Sequence, residues 1–302
     1  MDFSIVIPCR DHSLELVRCL QSVRRQQFAG SFEIIVVDAG LDDALLDVGD
    51  ASTRVVRGRE PLRPGPARNL GAAHASGRWL CFIDADAVAE AGWLTAAAAA
   101  LRAGARVVGG AVLQGERWHP VATIDNLMQF SDLAPGRPAG PAVLLPTCNL
   151  ALSREDFAAV GGFPALDSPA GEDVLFCEKA GRRWPGALRF EPAMRVRHYG
   201  RNTLRALSAH QDNFGFIRAH YGLRVTEMHR RLGRSPLLVA LLGVRRTGYL
   251  VGRALQWQPA ALLAYILALP VLVIGMTAWC RGFHRGSLAV TSRDASQWRE
   301  GT

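Results

Sequence analysis

Along the first two-thirds of the chain, short apolar runs that close on acids alternate with stretches of helical period. Ser4-Ile-Val-Ile-Pro8 is an apolar run of strand length closed by proline, and Phe32-Glu-Ile-Ile-Val-Val-Asp38 is a second that ends in an acid. Arg54-Val-Val-Arg57 is a weaker third, Trp79-Leu-Cys-Phe-Ile-Asp-Ala-Asp86 ends in two acids, and Ala105 to Leu113 is again apolar. Between them, His12 to Gln27 places Leu14, Leu16, Val17, Leu20 and Val23 at helical spacing, and Pro66–Ser76 and Ala91–Arg102 read as helices. Strands alternating with helices imply crossover connections, hence an α/β fold with a mostly parallel sheet flanked by helices. Ligands of such sheets lie beyond the carboxyl ends of the strands, where Asp38 and Asp84 would share one cleft.

Periodicity fades from Gly115 to Pro146, a stretch rich in Pro and Gly and long enough for a mobile active-site segment. Cys148-Asn-Leu-Ala-Leu-Ser153 then reads as a strand, Arg154–Val160 and Val174–Ala180 as helices, and Arg195-Val-Arg-His198 as a last short strand. The C-terminal part changes character. We divide the chain into a catalytic domain, 1–222, and a helical region, 223–302. In the latter an uncharged run, 259–280, is long enough to span a bilayer, with Pro270 kinking it. The preceding helix, about 236–255, gathers Arg245, Arg246 and Arg253 on an arc of roughly 100°, an interfacial pattern with basic side chains toward anionic headgroups. Core helices of a soluble domain would also accommodate both segments.

The formal charge of +8 is nearly all arginine and favours acidic partners. Nucleic acid is disfavoured, because the arginines are scattered and not interleaved with aromatics. The six cysteines show no metal-ligand spacing and suit a reduced, cytoplasmic core. Met1-Asp-Phe-Ser-Ile-Val-Ile-Pro8 lacks a basic flank and is too short for the hydrophobic core of a signal peptide, so the catalytic part is expected at the cytoplasmic face of the membrane.

Residues i and i+2 of an extended chain project to one side, so Asp84 and Asp86 can face one divalent cation that keeps positions open for phosphate. Alone, Asp-x-Asp more often marks a polar turn after a strand. With Asp38, Pro66-Ala-Arg-Asn-Leu-Gly71, Cys148-Asn, Gly161-Gly-Phe163 and Gly171-Glu-Asp173 in this order, the chain resembles the family-2 glycosyltransferases, which have the nucleotide-sugar-binding GT-A fold. The resemblance implies roles residue by residue. Pro8, Asp38, Arg68, Asp84 and Asp86 would bind the nucleotide sugar, Asp38 through the base, typically uracil, and Arg68 through the diphosphate. Asp86, with His198 as a further ligand, would hold Mn2+ or Mg2+. Asp173 would be the general base of an inverting displacement. Asn149, Gly162 and Glu172 would lie on the acceptor side. Where the family often has a second acid followed by glycine after Asp38, this chain has Ala39-Gly40.

The Gln-x-x-Arg-Trp signature of processive members is missing from His210-Gln-Asp-Asn-Phe-Gly-Phe-Ile-Arg218, so a single-addition transferase acting on a lipid-linked or cell-envelope glycan is expected. A nucleotidyltransferase would need a Gly-rich loop after the first strand, which Pro8-Cys-Arg-Asp-His12 is not. A non-catalytic scaffold on the same fold would have no need of Asp84, Asp86 and Asp173. Nothing in the sequence speaks to self-association.

Overall fold

The computed structural model describes residues 1–11, 14–116, 118–223 and 226–289. In chain order the strands are β1 (Phe3–Cys9), β2 (Phe32–Asp38), β3 (Thr53–Arg57), β4 (Trp79–Ile83), β5 (Ala87–Ala89), β6 (Val107–Gln114), β7 (Gly140–Pro141), β8 (Asn149–Ser153) and β9 (Leu188–His198). The helices are α1 (Leu14–Arg24), α2 (Pro64–Ala73), α3 (Trp93–Arg102), α4 (Pro120–Phe130), α5 (Arg154–Val160), α6 (Glu172–Arg183), α7 (Leu204–His220), α8 (Glu227–Gly233), α9 (Pro236–Trp257), α10 (Leu262–Leu267) and α11 (Leu269–Ala289). The helix expected from His12 runs from Leu14; His12 itself lies outside the described residues.

The strands form one sheet in the order β3-β2-β1-β4-β8-β6-β9-β5, with β7 paired to β9. The first four are parallel; β8 runs antiparallel to both β4 and β6, and β5 antiparallel to β9. Ile5, Val6 and Ile7 of β1 and Ile34–Val37 of β2 are fully buried, since helices cover both faces of a crossover sheet. Pro8 fits inside β1 because the pairing with β4 ends at Val6, so its missing N–H is lost on a side with no ladder. The carboxyl ends of β1, β2, β4, β6 and β9 all face one edge of the sheet. That edge carries the site.

Compactness divides the chain into two units. Unit 1 comprises Met1–Gly115 and Leu133–Tyr199; unit 2 comprises Glu116–Asp132 and the chain from Gly200 onward. The division thus falls between Tyr199 and Gly200, whereas the sequence put it at residue 222. The helix α7 belongs to unit 2 because it packs backbone to backbone with α11. A Cβ at Gly215 would strike the Trp279 carbonyl, and one at Gly282 or Gly286 the carbonyl of Asp212 or Phe216.

The Gly115–Pro146 stretch is not a bare loop. It contains α4, capped by His119 and begun by Pro120, with Ile124, Leu127 and Met128 buried in the core of unit 2. Burial runs almost all round this helix, Asp125 and Asn126 included, although Val121, Ile124 and Met128 keep the i, i+3, i+7 spacing of a helix.

The expected span at 259–280 is not one straight helix, although the two helices that share it have, together, the length and composition of a broken span or a re-entrant loop. Pro259–Leu267 and Leu269–Ala289 are bent by 79° at Ala268, and no single helix among the described residues is long and apolar enough to cross a membrane. Pro270, the second residue of α11, opens a new helix where its missing N–H costs nothing, and so does not kink a continuous one. On α9, Arg246 and Arg253 turn inward while Arg245 is exposed, so the three do not form one outward basic face. Arg246 Nη2 donates to the Met128 carbonyl at 3.1 Å and its guanidinium covers the Trp279 ring, while Arg253 Nε meets Asp132 at 3.0 Å. Burial lowers Arg246 to about 9, with Arg218 adding to the effect.

Candidate active site

Three side chains converge at the carboxyl edge of unit 1. Asp84 leaves the end of β4 and Asp86 follows two residues on. The short β5 then pairs antiparallel with β9, setting Ala87 opposite His198, and the Tyr199 N–H donates to the Asp86 carbonyl at 2.8 Å. This pairing draws the final residue of β9 against the two acids. His198 Nε2 lies 3.4 Å from Asp86 Oδ1, and one ligand atom from each of Asp84, Asp86 and His198 falls within 4.8 Å of the others. His198 is buried and Asp86 is open to solvent on one side. Two carboxylates and an imidazole suit Mn2+ or Mg2+, with positions left for phosphate oxygens.

Arg68, on α2, ties these acids to a second group. Its Nη2 donates to Asp84 Oδ1 at 2.5 Å and its Nη1 to Glu172 Oε1 at 2.6 Å, and the guanidinium is almost wholly buried. Such a triad is worth little in net stability while intact and costs a great deal when one partner is removed. The close approach of α2 and α6 that makes it possible depends on Gly65. A Cβ there would press on the Pro164 carbonyl and the Glu172 side chain.

Glu172 and Asp173 form the first turn of α6 behind Gly171, whose φ of 103° only glycine adopts without strain. The helix N-terminus favours both charges. Burial nonetheless dominates at Asp173, and with the neighbouring Glu172 charge it pushes the carboxyl up to about 7, against the pull of Arg68. Burial raises Glu172 as well, with Arg68 opposing. A carboxylate that exchanges its proton near neutrality is what a general base requires.

Asp38 ends β2 fully buried. Its Oδ1 accepts the N–H groups of Gly40, Leu41 and Asp42 at 2.7–3.2 Å, and its Oδ2 accepts Arg57 Nε at 2.6 Å. It shapes the loop after β2, and a base arriving there would meet an Asp38 already paired with Arg57. Arg57 escaped the sequence reading; its place at the end of β3, in register with Asp38, was the available signal.

Three expected acceptor-side residues are otherwise engaged. Asn149 is fully buried, accepts Trp93 Nε1 at 2.8 Å, and donates to the Ala111 and Met194 carbonyls at 3.1 and 2.9 Å. It fills the irregularity where β6 and β9 slip register between Gly110 and Ala111, and so has no surface for an acceptor. Glu172 is spent on Arg68. Gly162 is buried at φ 68°, in a turn held to α2 by Asn69. The Asn69 side chain accepts the Phe163 N–H at 2.9 Å and donates to its carbonyl at 2.8 Å. Asn69, adjacent to Arg68 in the sequence, was not assigned a role there. Phe163 in turn packs against Phe82, Phe157 and Phe176 beneath the site.

Comparison with known proteins agrees with this geometry. The family model for glycosyl transferase family 2 matches residues 4–157. The pre-mycofactocin glycosyltransferase of Mycobacterium tuberculosis is 29% identical over 243 residues, 74% of this chain and 48% of that protein. The PGL/p-HBAD biosynthesis glycosyltransferase of Mycobacterium bovis is 36% identical over 90 residues, 28% of this chain and 35% of that protein. The chain thus spans about half the length, or less, of these relatives. Among solved structures, S. aureus TarS 1-349 in complex with UDP-GlcNAc superposes with a TM-score of 0.54 at 16% identity, covering 100% of this chain and 93% of that one. GalNAc-T7 with UDP, GalNAc and Mn2+ gives a TM-score of 0.53 at 18% identity, covering 71% and 48%. The fold is GT-A.

Proposed function

Since the chain belongs to glycosyl transferase family 2, we propose that it moves one sugar from a UDP-sugar to an acceptor hydroxyl, with inversion and with the help of a divalent metal. The observation that carries this reading is the Asp84–Asp86–His198 cluster joined through Arg68 to the helix start that bears Asp173. The acceptor oxygen attacks the anomeric carbon as the bond from that carbon to the diphosphate oxygen breaks. The hydroxyl proton passes to the Asp173 carboxylate, and UDP departs. No covalent enzyme intermediate forms. Asp84, Asp86 and His198 would hold the metal, which, when bound, neutralises charge on the departing diphosphate. UDP-GlcNAc in the TarS structure and UDP in the GalNAc-T7 structure support the choice of UDP.

The names of the relatives point to different products, pre-mycofactocin in one and PGL/p-HBAD biosynthesis in another. For this chain we read a lipid-linked or cell-envelope glycan, consistent with the apolar surface of its helical unit.

The test is donor turnover with a panel of nucleotide sugars, with and without Mn2+ or Mg2+. Asp86→Ala is expected to weaken metal-dependent UDP binding by at least about tenfold, since even an outer-shell partner commands that much. Calorimetry with UDP and Mn2+ reads it directly. UDP binding that ignores the metal in the unaltered protein would count against the reading.

A further inference from the structure

The helix α9 is apolar on two sides, and only one of them is used inside unit 2. Val239, Gly243, Leu250 and Ala254 are buried. Leu237, Leu241, Val244, Val251 and Leu255 are all exposed, Leu237 at 72% and Val244 at 70%. At about 100° per residue these five fall on one arc of roughly 80°, opposite the buried set. A stripe of this length on one exposed helix is uncommon on a surface that faces only water. Arg246 and Arg253, expected to point outward, pack inward, and Arg245 stays exposed at the edge of the stripe, so the outer face of α9 is the leucine-valine face.

Charge identifies what covers it. From Pro236 to Ala289 there is not one Asp or Glu, while five arginines occur. Arg234, just before the helix, and Arg245, beside the stripe, are exposed. An anionic headgroup layer repels acids and attracts guanidinium groups, and the acyl region beneath it accepts leucine and valine. A protein partner gives no reason for acids to be missing across three successive helices. No single helix among the described residues is long and apolar enough to cross the bilayer, and the pair that passes by length and composition is bent. The inner side of α9 is committed to Arg246 and Arg253, and the apolar run after it is broken by 79° at Ala268, leaving Leu267 exposed at the elbow.

We propose that unit 2 docks on an anionic membrane surface by laying α9 in the plane of the headgroups, its Leu237–Leu255 stripe immersed and no helix crossing. The proposal does not depend on the transfer reaction in unit 1.

The test is flotation of the full chain with vesicles of phosphatidylcholine alone and of equimolar phosphatidylcholine and phosphatidylglycerol. Flotation with the anionic vesicles is expected. The Leu241→Glu, Val244→Glu double variant should lose about tenfold or more in vesicle affinity, as two apolar side chains leave the acyl region and two acids meet anionic lipid. Both sites are exposed, so its circular dichroism and UDP binding should match the unaltered protein. Asp173→Asn should float normally, which separates this proposal from the catalytic one. No flotation with either vesicle, or flotation unchanged in the double variant, would overturn it. A dimer in vesicle-free solution that the same variant breaks, without flotation, would assign the face to a second copy. Tags on the two chain ends should be digested from the same side of inverted membrane vesicles; opposite sides would mean a crossing segment.

Discussion

Replacing Asp173 by asparagine is expected to slow sugar transfer by about 10²–10⁴-fold while raising the melting temperature above pH 7. The two effects share one cause. In the fold, burial and the Glu172 charge hold the Asp173 carboxyl at about 7, against an ordinary value of 3.8. Between those values the folded chain keeps a proton that the unfolded chain has released. The contribution of this group to stability is therefore whole below 3.8 and is lost as pH rises through about 7. Above that, the native state carries a buried charge that costs on the order of 1–4 kcal/mol. An amide has the same shape and never ionises, so the variant escapes the cost but cannot take a proton.

Thermal melts at pH 5 and pH 8 separate these outcomes. The variant should match the unaltered protein at the lower pH and exceed it by several degrees at the higher. In the unaltered protein, kcat/KM should rise with pH to a plateau, with its midpoint near the Asp173 value. A variant that still transfers sugar, or a profile flat from pH 6 to 8, would remove Asp173 from the role of base. An unchanged melting temperature at pH 8 would mean that the carboxyl is not held in the environment described.

The parts of this molecule that the sequence disclosed are those whose physics is local. The strands β1, β2 and β4 are mostly apolar because both faces of the parallel sheet are covered, and β2 and β4 run out into Asp38 and Asp84. Asp84 and Asp86 were legible as a pair because their spacing is the period of an extended chain. What escaped was set by partners distant in sequence. Asn149 looks like a site residue beside Cys148, and only the slipped register of β6 and β9 shows that its amide is consumed by two carbonyls. Asp38 was read as a ligand group, yet Arg57 lies across from it on the next strand. The outward face of α9 misled for a related reason. A helical wheel gives the separation of Arg246 from Leu241, but the core against which one side packs is built from α4 and α11.

Arg68→Met tests the element that joins the metal-side acids to the base. The guanidinium is the cation between Asp84 and Glu172, and Glu172 is 6% exposed. Methionine fills much of the volume but leaves Glu172 a buried carboxylate with no counter-charge, so the variant should lose about 3–5 kcal/mol at pH 8. At pH 5 the loss should shrink, because burial already raises Glu172 and a neutral acid needs no partner. Pairing the change with Glu172→Gln should recover much of the stability, since the orphaned charge is gone; urea titrations of the two single variants and the double give the coupling.

Activity should not recover in that double variant. Asp84 would still lack the contact that positions it, and both metal-dependent UDP binding and turnover should remain depressed. Stability restored without function would separate the two duties of Arg68, neutralising Glu172 and aiming Asp84. If Arg68→Met costs less than about 1 kcal/mol at pH 8, the guanidinium is not holding two buried acids, and the link from the metal-side cluster to α6 must run through other contacts.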